Sequence, residues 1–297
     1  MDHLVTEQPN TTSANIDTLS TNEIVQLMNA EDHKVAAAVE LVSGMIAQAV
    51  DAISARLVGG GRLFYLGAGT SGRLGVLDAS ECPPTFNTPP EMVIGIIAGG
   101  PKALTTAIEG AEDNSESAIV DLKAREFSNR DVLVGIATSG RTPYVIGGLR
   151  YAQEIGAFAI GLSCNPDSEL NHCSDVVIAP VVGPEVISGS TRLKAGTATK
   201  MVLNILTTAT MVQLGKTYGN WMVDLRATNV KLKARSVRIV AAIAGLNELQ
   251  AVEQLNRCNG EVKTAIVAAK RSVAASEART LLERSGGKLR LALELEA

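Results

Sequence analysis

Two short segments of this 297-residue chain carry the same run of hydroxyl, glycine and arginine residues. The run Thr-Ser-Gly-Arg occurs at residues 70–73 and again at 138–141, each time between a short apolar stretch and a predicted helix. Small residues let a ligand approach the backbone, and the first turn of a helix offers N–H groups and a partial positive charge that hold anions. The two segments therefore predict anion-binding loops, and two such loops at strand ends would flank one crevice.

The first segment also matches a dinucleotide-binding pattern, G-x-G-x-x-G, through Gly67, Gly69 and Gly72. That pattern requires an acidic residue at the end of the following strand, where it binds a ribose. The following predicted strand ends in Ala-Gly-Gly-Pro at residues 98–101, which contains no carboxylate. A nucleotide cofactor is therefore disfavoured, while two interpretations stay open: a ligand site, or two tight strand-to-helix turns.

Short apolar runs that alternate with helical segments must position these loops. The runs predict strands over 62–66, 92–98, 131–137, 157–163 and 175–180. Helices are predicted over 72–80, 101–125 with a break, 143–155 and 191–215. This alternation is typical of a parallel sheet, and strands that are aliphatic on both faces indicate helices on each side. We therefore expect an α/β fold, with a five-stranded parallel sheet in a three-layer α/β/α sandwich.

Helical segments precede the sheet. Residues 1–20 are polar and are expected to be extended. Ser20 and Glu23 form a capping-box pattern, in which each side chain bonds to the other residue's backbone at a helix start. Apolar residues at helical spacing then predict helices over 21–30 and 32–58.

The end of the chain is predicted to be helical only. Breaks after Trp221 fall at 245–247, 259–260 and 285–287, which indicates a small three-helix domain. We expect an N-terminal helical segment that packs on the sheet, a sheet domain and a C-terminal helical domain, over 1–58, 59–237 and 238–297.

Composition excludes several classes of partner. The net charge of −4 and the small number of aromatic residues (4 Phe, 4 Tyr and 1 Trp) disfavour nucleic acid. The first residues lack the pattern of a secretion signal, and the longest nearly apolar stretch, 201–214, is too short to cross a bilayer. The 4 cysteines form no CxxC pair and the 3 histidines lie far apart, so no metal site is expected. We expect a cytoplasmic protein with free thiols and no membrane partner.

One segment carries a family resemblance. Residues 183–200, GPEVISGSTRLKAGTATK, resemble the motif shared by glucokinase regulatory protein and bacterial N-acetylmuramic acid 6-phosphate etherases, which have the sugar isomerase (SIS) fold. Thr191 and Leu193 depart conservatively from the expected Ser and Met. The length suits the etherases, since the regulatory protein is about twice as long and carries a second SIS domain. Three further segments are etherase-like, so that the resemblance covers nearly the whole chain and includes a C-terminal domain similar to ubiquitin-associated folds: 77–85, 109–113 and 222–232.

The resemblance implies a reaction. The family cleaves the D-lactyl ether at C3 of N-acetylmuramate 6-phosphate, which gives N-acetylglucosamine 6-phosphate and D-lactate in amino-sugar catabolism and peptidoglycan recycling. A base removes the C2 proton of the open-chain aldehyde, lactate leaves from C3 with help from an acid, and water then adds at C3. One acid and one base suffice, so no cofactor is implied. The family also works as homodimers.

The resemblance further implies the residues of the site. Glu81 matches the acid that protonates departing lactate, and Glu112 matches the base at C2, although the pair is better supported than the division of roles. A rigid turn at Cys82-Pro83-Pro84 is expected to fix the direction of Glu81. By analogy with other SIS proteins, the second loop anchors the phosphate and further residues contact the sugar. The implied substrate-binding set is Thr70, Ser71, Glu109, Ser139, Gly140, Arg141, Thr142, Ser188 and Ser190.

Two other functions compete with the lyase, and some roles stay open. A non-catalytic sugar-phosphate sensor would not need the two glutamates, and an aldose–ketose isomerase would share proton abstraction at C2 but not the acid. Arg73 and Arg141 could pair either with phosphate or with acids at helix ends. Lys194 and Lys200 are interpreted as structural or dimer-facing rather than catalytic.

Overall fold

Parallel strands form the centre of the protein. In the computed structural model, which describes residues 4–225 and 230–295, the strands are β1 (Leu63–Gly67), β2 (Val93–Ile97), β3 (Val132–Ile136), β4 (Phe158–Leu162) and β5 (Val176–Ile178). Among the described residues they form a five-stranded sheet in the order β2-β1-β3-β4-β5, with every pair parallel. All five strands fall within or beside the predicted runs, so the predicted sheet is confirmed.

Helices cover both faces of this sheet. They are α1 (Thr21–Glu40), α2 (Ser43–Val58), α3 (Gly69–Phe86), α4 (Ser115–Lys123), α5 (Pro143–Glu154) and α6 (Lys194–Gln213). Successive strand residues point to opposite faces. Phe64 and Leu66 of β1 join the core formed with α4 and α5, whereas Tyr65 points to the other face and donates to Asp78 of α3. The three-layer α/β/α arrangement is therefore confirmed.

The N-terminal segment differs from its prediction in two respects. Residues 4–20 are not extended but form three short 3₁₀ turns, Val5–Glu7, Thr11–Ser13 and Ile16–Thr18. The first long helix, α1, also continues past the predicted break near residue 31. The capping box at Ser20 is confirmed. No single described helix is long and apolar enough to span a bilayer; α1 and α2 pass that test only when joined across a bend of 58°.

Glu31, at the predicted break in α1, is buried and paired. Its Oε2 lies 2.6 Å from Nζ of Lys194, and both side chains are 2–3% exposed. Lys34 and Asn10 also donate to the Glu31 carboxylate. Burial alone would raise the pKa of Glu31, but hydrogen bonds from Lys194, Lys34 and Asn10 outweigh it and lower the pKa to about 2. Because this pKa lies below the ordinary 4.5, the carboxylate stabilises the fold at neutral pH, and that contribution is lost as the pH falls toward 2.

Two compact units make up the chain: Met1–Ser80 with Pro90–Thr207, and Glu81–Pro89 with Thr208–Ala297. In the second unit, two short antiparallel strands, β6 (Thr217–Tyr218) and β7 (Trp221–Met222), precede the helices. This unit also includes the last residues of α3 and α6, and the helices wholly within it are α7 (Val230–Ala244), α8 (Glu248–Arg257), α9 (Val262–Arg271), α10 (Ala275–Arg284) and α11 (Leu289–Glu294).

This second unit has more breaks than the sequence predicted. The three predicted breaks at 245–247, 259–260 and 285–287 are confirmed, and one further break occurs where α9 ends at Ser272, whose φ of 55° is left-handed. Serine gave no signal for that turn, since glycine is the residue that usually adopts this conformation. Residues 226–229 of the etherase-like segment 222–232 lie outside the described residues. The domain boundaries at 58 and 237 stay predictions.

The buried pair predicts a large loss of stability when one charge is removed. Lys194→Met should lower the free energy of unfolding by about 3 kcal/mol or more, because it leaves the Glu31 carboxylate buried without its main partner. Urea unfolding at pH 7 measures the loss, and Lys200→Met, at an exposed lysine of the same helix, is the control. The double variant Glu31→Met with Lys194→Met should recover most of the lost free energy of unfolding. A single Lys194→Met variant as stable as its control would contradict the interpretation.

Candidate functional site

The two Thr-Ser-Gly-Arg loops leave the same edge of the sheet. Strand β1 lies between β2 and β3, and the register pairs Gly67 with both Ile97 and Ile136, so the three strands end level. The chain runs from β1 to β2 in one direction and from β3 to β4 in the other. A crevice forms beyond the carboxyl ends of strands where the connections diverge in this way, and α/β sheets bind ligands there.

The first loop is tight for a steric reason. A β-carbon on Gly67 would lie 2.7 Å from the backbone nitrogen of Gly72, so both positions require close backbone approach. The helix α3 starts directly at Gly69, which leaves Ser71 buried and Thr70 half-buried in its first turn. A β-carbon on Gly196, near the start of α6, would lie 3.7 Å from Cγ2 of Thr70, so this turn faces the start of α6. Packing therefore explains Gly67 and Gly72 of the dinucleotide-like pattern, and a left-handed φ of 52° explains Gly69.

The second loop is held against the segment that follows β4. Gly140 has a φ of 70°, and a β-carbon there would lie 2.1 Å from Cβ of Ser168. Asn165, itself buried, donates to the carbonyl of Thr138 at 2.9 Å. These contacts with Ser168 and Asn165 fix the loop without using the hydroxyl groups of Ser139 and Thr142.

The hydroxyl groups of this loop lie at the start of α5. Oγ of Ser139 accepts from the backbone N–H of Arg141 at 3.3 Å. Thr142 is the N-cap residue of α5, but its side chain makes no capping hydrogen bond. Ser139, Arg141 and Thr142 are all half-buried, so ligand atoms can reach them. An anion bound here would meet hydroxyl donors together with the positive end of a helix.

A small cavity lies beside the first loop. Its volume is about 100 Å³, and Glu109 and Glu112 line it together with Gly69 and Arg73. Both glutamates are exposed at its rim, on the segment that returns from β2 to α4. The structure therefore brings two of the predicted acidic residues to the same edge as the first loop.

Arg73 bonds to backbone carbonyls of the cavity wall, and its pairing with phosphate stays a prediction. Its guanidinium donates to the main-chain carbonyls of Ala103 and Leu104 at 2.8 and 3.0 Å, rather than to a helix-end acid. These carbonyls belong to the 3₁₀ turn Pro101–Leu104, which forms one wall of the cavity. Arg73 therefore shapes that wall, a role that sequence spacing did not suggest because the contact spans about thirty residues.

Glu81 lies within the helix α3 rather than beside a turn. The helix α3 continues through Pro83 and Pro84 to Phe86, so the predicted rigid turn at these prolines is wrong. Asn87 follows with a left-handed φ of 51°. Glu81 is exposed there, in the part of α3 that belongs to the second unit.

A buried carboxylate anchors α3 before that point. Asp78 accepts hydrogen bonds from Tyr65, Asn204 and Thr207 at 3.0, 2.7 and 3.3 Å. Burial raises the pKa of Asp78, and these donors offset part of the increase. Sequence reasoning assigned no role to Asp78, because its partners on β1 and α6 come together only in the fold.

The segment that carries the family motif is built around buried charges. Glu185 is fully buried and caps α6 by accepting from the backbone N–H groups of Lys194 and Ala195 at 3.0 and 2.9 Å. Together with the Glu31 pair, this confirms a structural role for Lys194. Ser188 is exposed and Ser190 half-buried in the loop before the helix, so both are accessible to a ligand.

Metal ligands do not cluster in the described part of the chain. Over residues 4–225 and 230–295 there is no group of three or more His, Cys, Asp or Glu side chains able to hold an ion. His3, considered at the sequence level, lies outside the described residues. All four cysteines are buried, and no disulfide is present among the described residues.

Comparisons with known proteins point to one family. Residues 45–153 match the family model "Glucokinase regulatory protein N-terminal SIS domain". A protein named N-acetylmuramic acid 6-phosphate etherase from Rhodopirellula baltica is 62% identical over 97% of this chain and 96% of its own length. One with the same name from Edwardsiella ictaluri is 55% identical over 99% and 98%.

Solved structures support the fold alone. A putative phosphosugar isomerase from Bacteroides fragilis aligns with a TM-score of 0.51 at 22% identity, over 65% of this chain and 91% of its own. The phosphoheptose isomerase from Neisseria gonorrhoeae aligns with a TM-score of 0.50 at 19% identity, over 64% and 98%. The α/β region therefore has the SIS fold.

The second loop predicts a steric requirement at Gly140. Gly140→Ala should lower the free energy of unfolding by about 1–3 kcal/mol beyond a matched control, because the new methyl group overlaps Ser168. The control is Gly60→Ala, which has a similar φ of 79° but no atom within 4 Å of its β-carbon. Urea unfolding of both variants gives the difference. Adding Ser168→Gly to Gly140→Ala should remove this difference in the free energy of unfolding. Equal losses of stability in the Gly60 and Gly140 variants would contradict the contact.

Proposed function

We infer that this chain, which belongs to the N-acetylmuramic acid 6-phosphate etherase family, cleaves the D-lactyl ether of N-acetylmuramate 6-phosphate. The observation that carries this inference is the 62% identity to an etherase over 97% of the chain. The products are N-acetylglucosamine 6-phosphate and D-lactate, and the reaction belongs to amino-sugar catabolism and peptidoglycan recycling.

The chemistry avoids direct displacement of a poor leaving group. In the open-chain sugar, the C1 aldehyde acidifies the C2 proton. A base takes that proton, the C2–H electron pair forms the C2=C3 double bond, and the C3–O bond breaks. The departing oxygen keeps the bonding pair and receives a proton from an acid, which gives D-lactate. Water then adds at C3 and a proton returns to C2.

Glu112 is the proposed base at C2. It is exposed at the rim of the cavity beside the first loop, where a carboxylate can reach a bound sugar. Gly110, whose φ is 73°, starts the 3₁₀ turn that carries Glu112. Glu109, one turn earlier at the same rim, is proposed as a contact to the sugar.

Glu81 is the proposed acid that protonates lactate and then activates water. Its exposure on α3 leaves the carboxyl group accessible. Asp78, which accepts hydrogen bonds from Asn204 and Tyr65, precedes it by three residues on the same helix. A well-placed acid or base each contributes roughly 10²–10⁴ in rate.

Phosphate binding is assigned to the second loop. Ser139 and Thr142 supply hydroxyl groups, and Gly140 and Arg141 supply backbone amides near the start of α5. Binding energy at the phosphate, remote from the reacting carbons, can hold C2 and C3 in place. Contacts to the sugar or its phosphate are proposed for Thr70, Ser71, Ser188 and Ser190.

A non-catalytic regulator that binds sugar phosphate is the second candidate. The match of residues 45–153 to the glucokinase regulatory protein domain favours it. The full-length identity to etherases favours the enzyme. Incubation with N-acetylmuramate 6-phosphate separates the two, since a regulator would bind the sugar without releasing lactate.

The proposed roles predict the effect of removing each carboxylate. Glu81→Gln and Glu112→Gln should each lower kcat for D-lactate release by ~10²-fold or more, because the amide cannot exchange the required proton. A coupled D-lactate assay measures the rates. Glu91→Gln, at another exposed glutamate, is the control and should retain normal activity. Near-normal lactate release by either variant would remove that residue from the mechanism.

We also propose a cytoplasmic homodimer. Ile205 and Val212 of α6 are large apolar side chains that are 38% and 50% exposed, seven residues apart and so on one face of the helix. Light scattering should give twice the 31.0 kDa mass of one chain. Ile205→Lys should weaken the association, whereas Val120→Lys, at an exposed valine of α4, should not. A fully active monomer would contradict the dimer.

A further inference from the structure

The cavity beside Glu112 has an unusual lining. Half of its ten lining residues are alanines, and these alanines come from separate segments that meet at the ends of β1 and β2. They are Ala68, Ala98, Ala103, Ala107 and Ala111. Ile108 completes the apolar surface, and charged groups stand at the rim. The alanine methyl groups and Ile108 thus form the apolar part of a small cavity, which a larger side chain at one of these positions would fill.

Packing and hydrogen bonds hold this wall in place. A β-carbon on Gly99 would lie 3.1 Å from Cβ of Ile108 and 3.3 Å from Cβ of Ala111, so these side chains rest on the Gly99 backbone. On the opposite side, Arg73 holds the carbonyls of Ala103 and Leu104. The cavity is therefore preformed, which favours selection by size.

The volume limits what can enter. A cavity of about 100 Å³ is small, and a substituent of three or four non-hydrogen atoms fits in it. N-acetylmuramate 6-phosphate carries two substituents of that size with a methyl group: the acetamido group at C2 and the lactyl group at C3.

Charge distinguishes the two substituents. Glu109 and Glu112 line the cavity with one cation, Arg73, whose guanidinium is held by backbone carbonyls. The two carboxylates outnumber this cation and repel the carboxylate of a lactyl group. The acetamido group is neutral, and its N–H can donate to a carboxylate oxygen. It is also attached to C2, the carbon whose proton Glu112 is proposed to remove, so it must lie close to that residue.

We propose that the alanine-lined cavity binds the methyl end of the substrate's 2-acetamido group and selects for its size. This assignment rests on the proposed function, and it makes the lining alanines determinants of specificity rather than catalytic residues. Binding there holds C2 beside Glu112. The lactyl group then projects away from the cavity.

Ala107 is the position for the test, because it lines the cavity and is exposed, so a larger side chain can enter without moving a buried neighbour. Ala107→Leu is compared with wild type and with Ala124→Leu, an exposed alanine outside the cavity lining. Three 6-phosphate substrates are used: N-acetylmuramate, its N-formyl analogue, and an analogue with a glycolyl ether in place of lactyl. Release of the hydroxy acid gives kcat/KM for each.

Wild type should prefer the acetyl to the formyl substrate by about tenfold, the scale of one methyl group in an apolar pocket. Ala107→Leu should lower kcat/KM for the acetyl substrate about tenfold and change the formyl substrate less than about threefold, and Ala124→Leu should change neither. An equal loss of kcat/KM on the acetyl and formyl substrates would overturn the assignment. A smaller loss of kcat/KM on the glycolyl analogue would also overturn it, because that result would place the lactyl methyl group in the cavity. No lactate from wild type overturns the proposed function and this inference together.

Discussion

The buried ion pair between Glu31 and Lys194 is the interaction on which much of the site depends. It joins α1 to the first residue of α6 at 2.6 Å, with both side chains almost fully buried. A buried charge destabilises a fold unless it is paired, so separating Glu31 from Lys194 would cost stability. The pair therefore holds the start of α6 and the loop before it in one position.

Further contacts extend this restraint to the neighbouring loops. Glu185 caps α6, and Asn10 bridges the Glu31 carboxylate and the carbonyl of Pro184. Asn165 joins the N-terminal turns, through Thr6, to the second loop. The 3₁₀ turns of the N-terminal segment thus brace two of the segments proposed to bind substrate. This is why a polar stretch without helical or strand periodicity adopts a defined structure.

Much of the architecture could be predicted because it follows from local pattern. Parallel strands buried on both faces are continuous aliphatic runs, and all five were located from them. The capping box at Ser20 is likewise local. The extent of α3 was not predicted, since Pro83 and Pro84 normally indicate the end of a helix. The extra break at Ser272 lacked the glycine that usually marks one.

The candidate site was likewise predictable from the sequence only in part. The sequence by itself determined the parallel sheet, the repeated Thr-Ser-Gly-Arg loops at its strand ends and the family, because each depends on residue types at short spacing. Only the tertiary structure decided that Arg73 supports a wall of the cavity, and that alanines from separate segments enclose a space beside Glu112. These contacts join residues far apart in the chain. Periodicity and motif spacing carry no information about the side-chain distances that such contacts require.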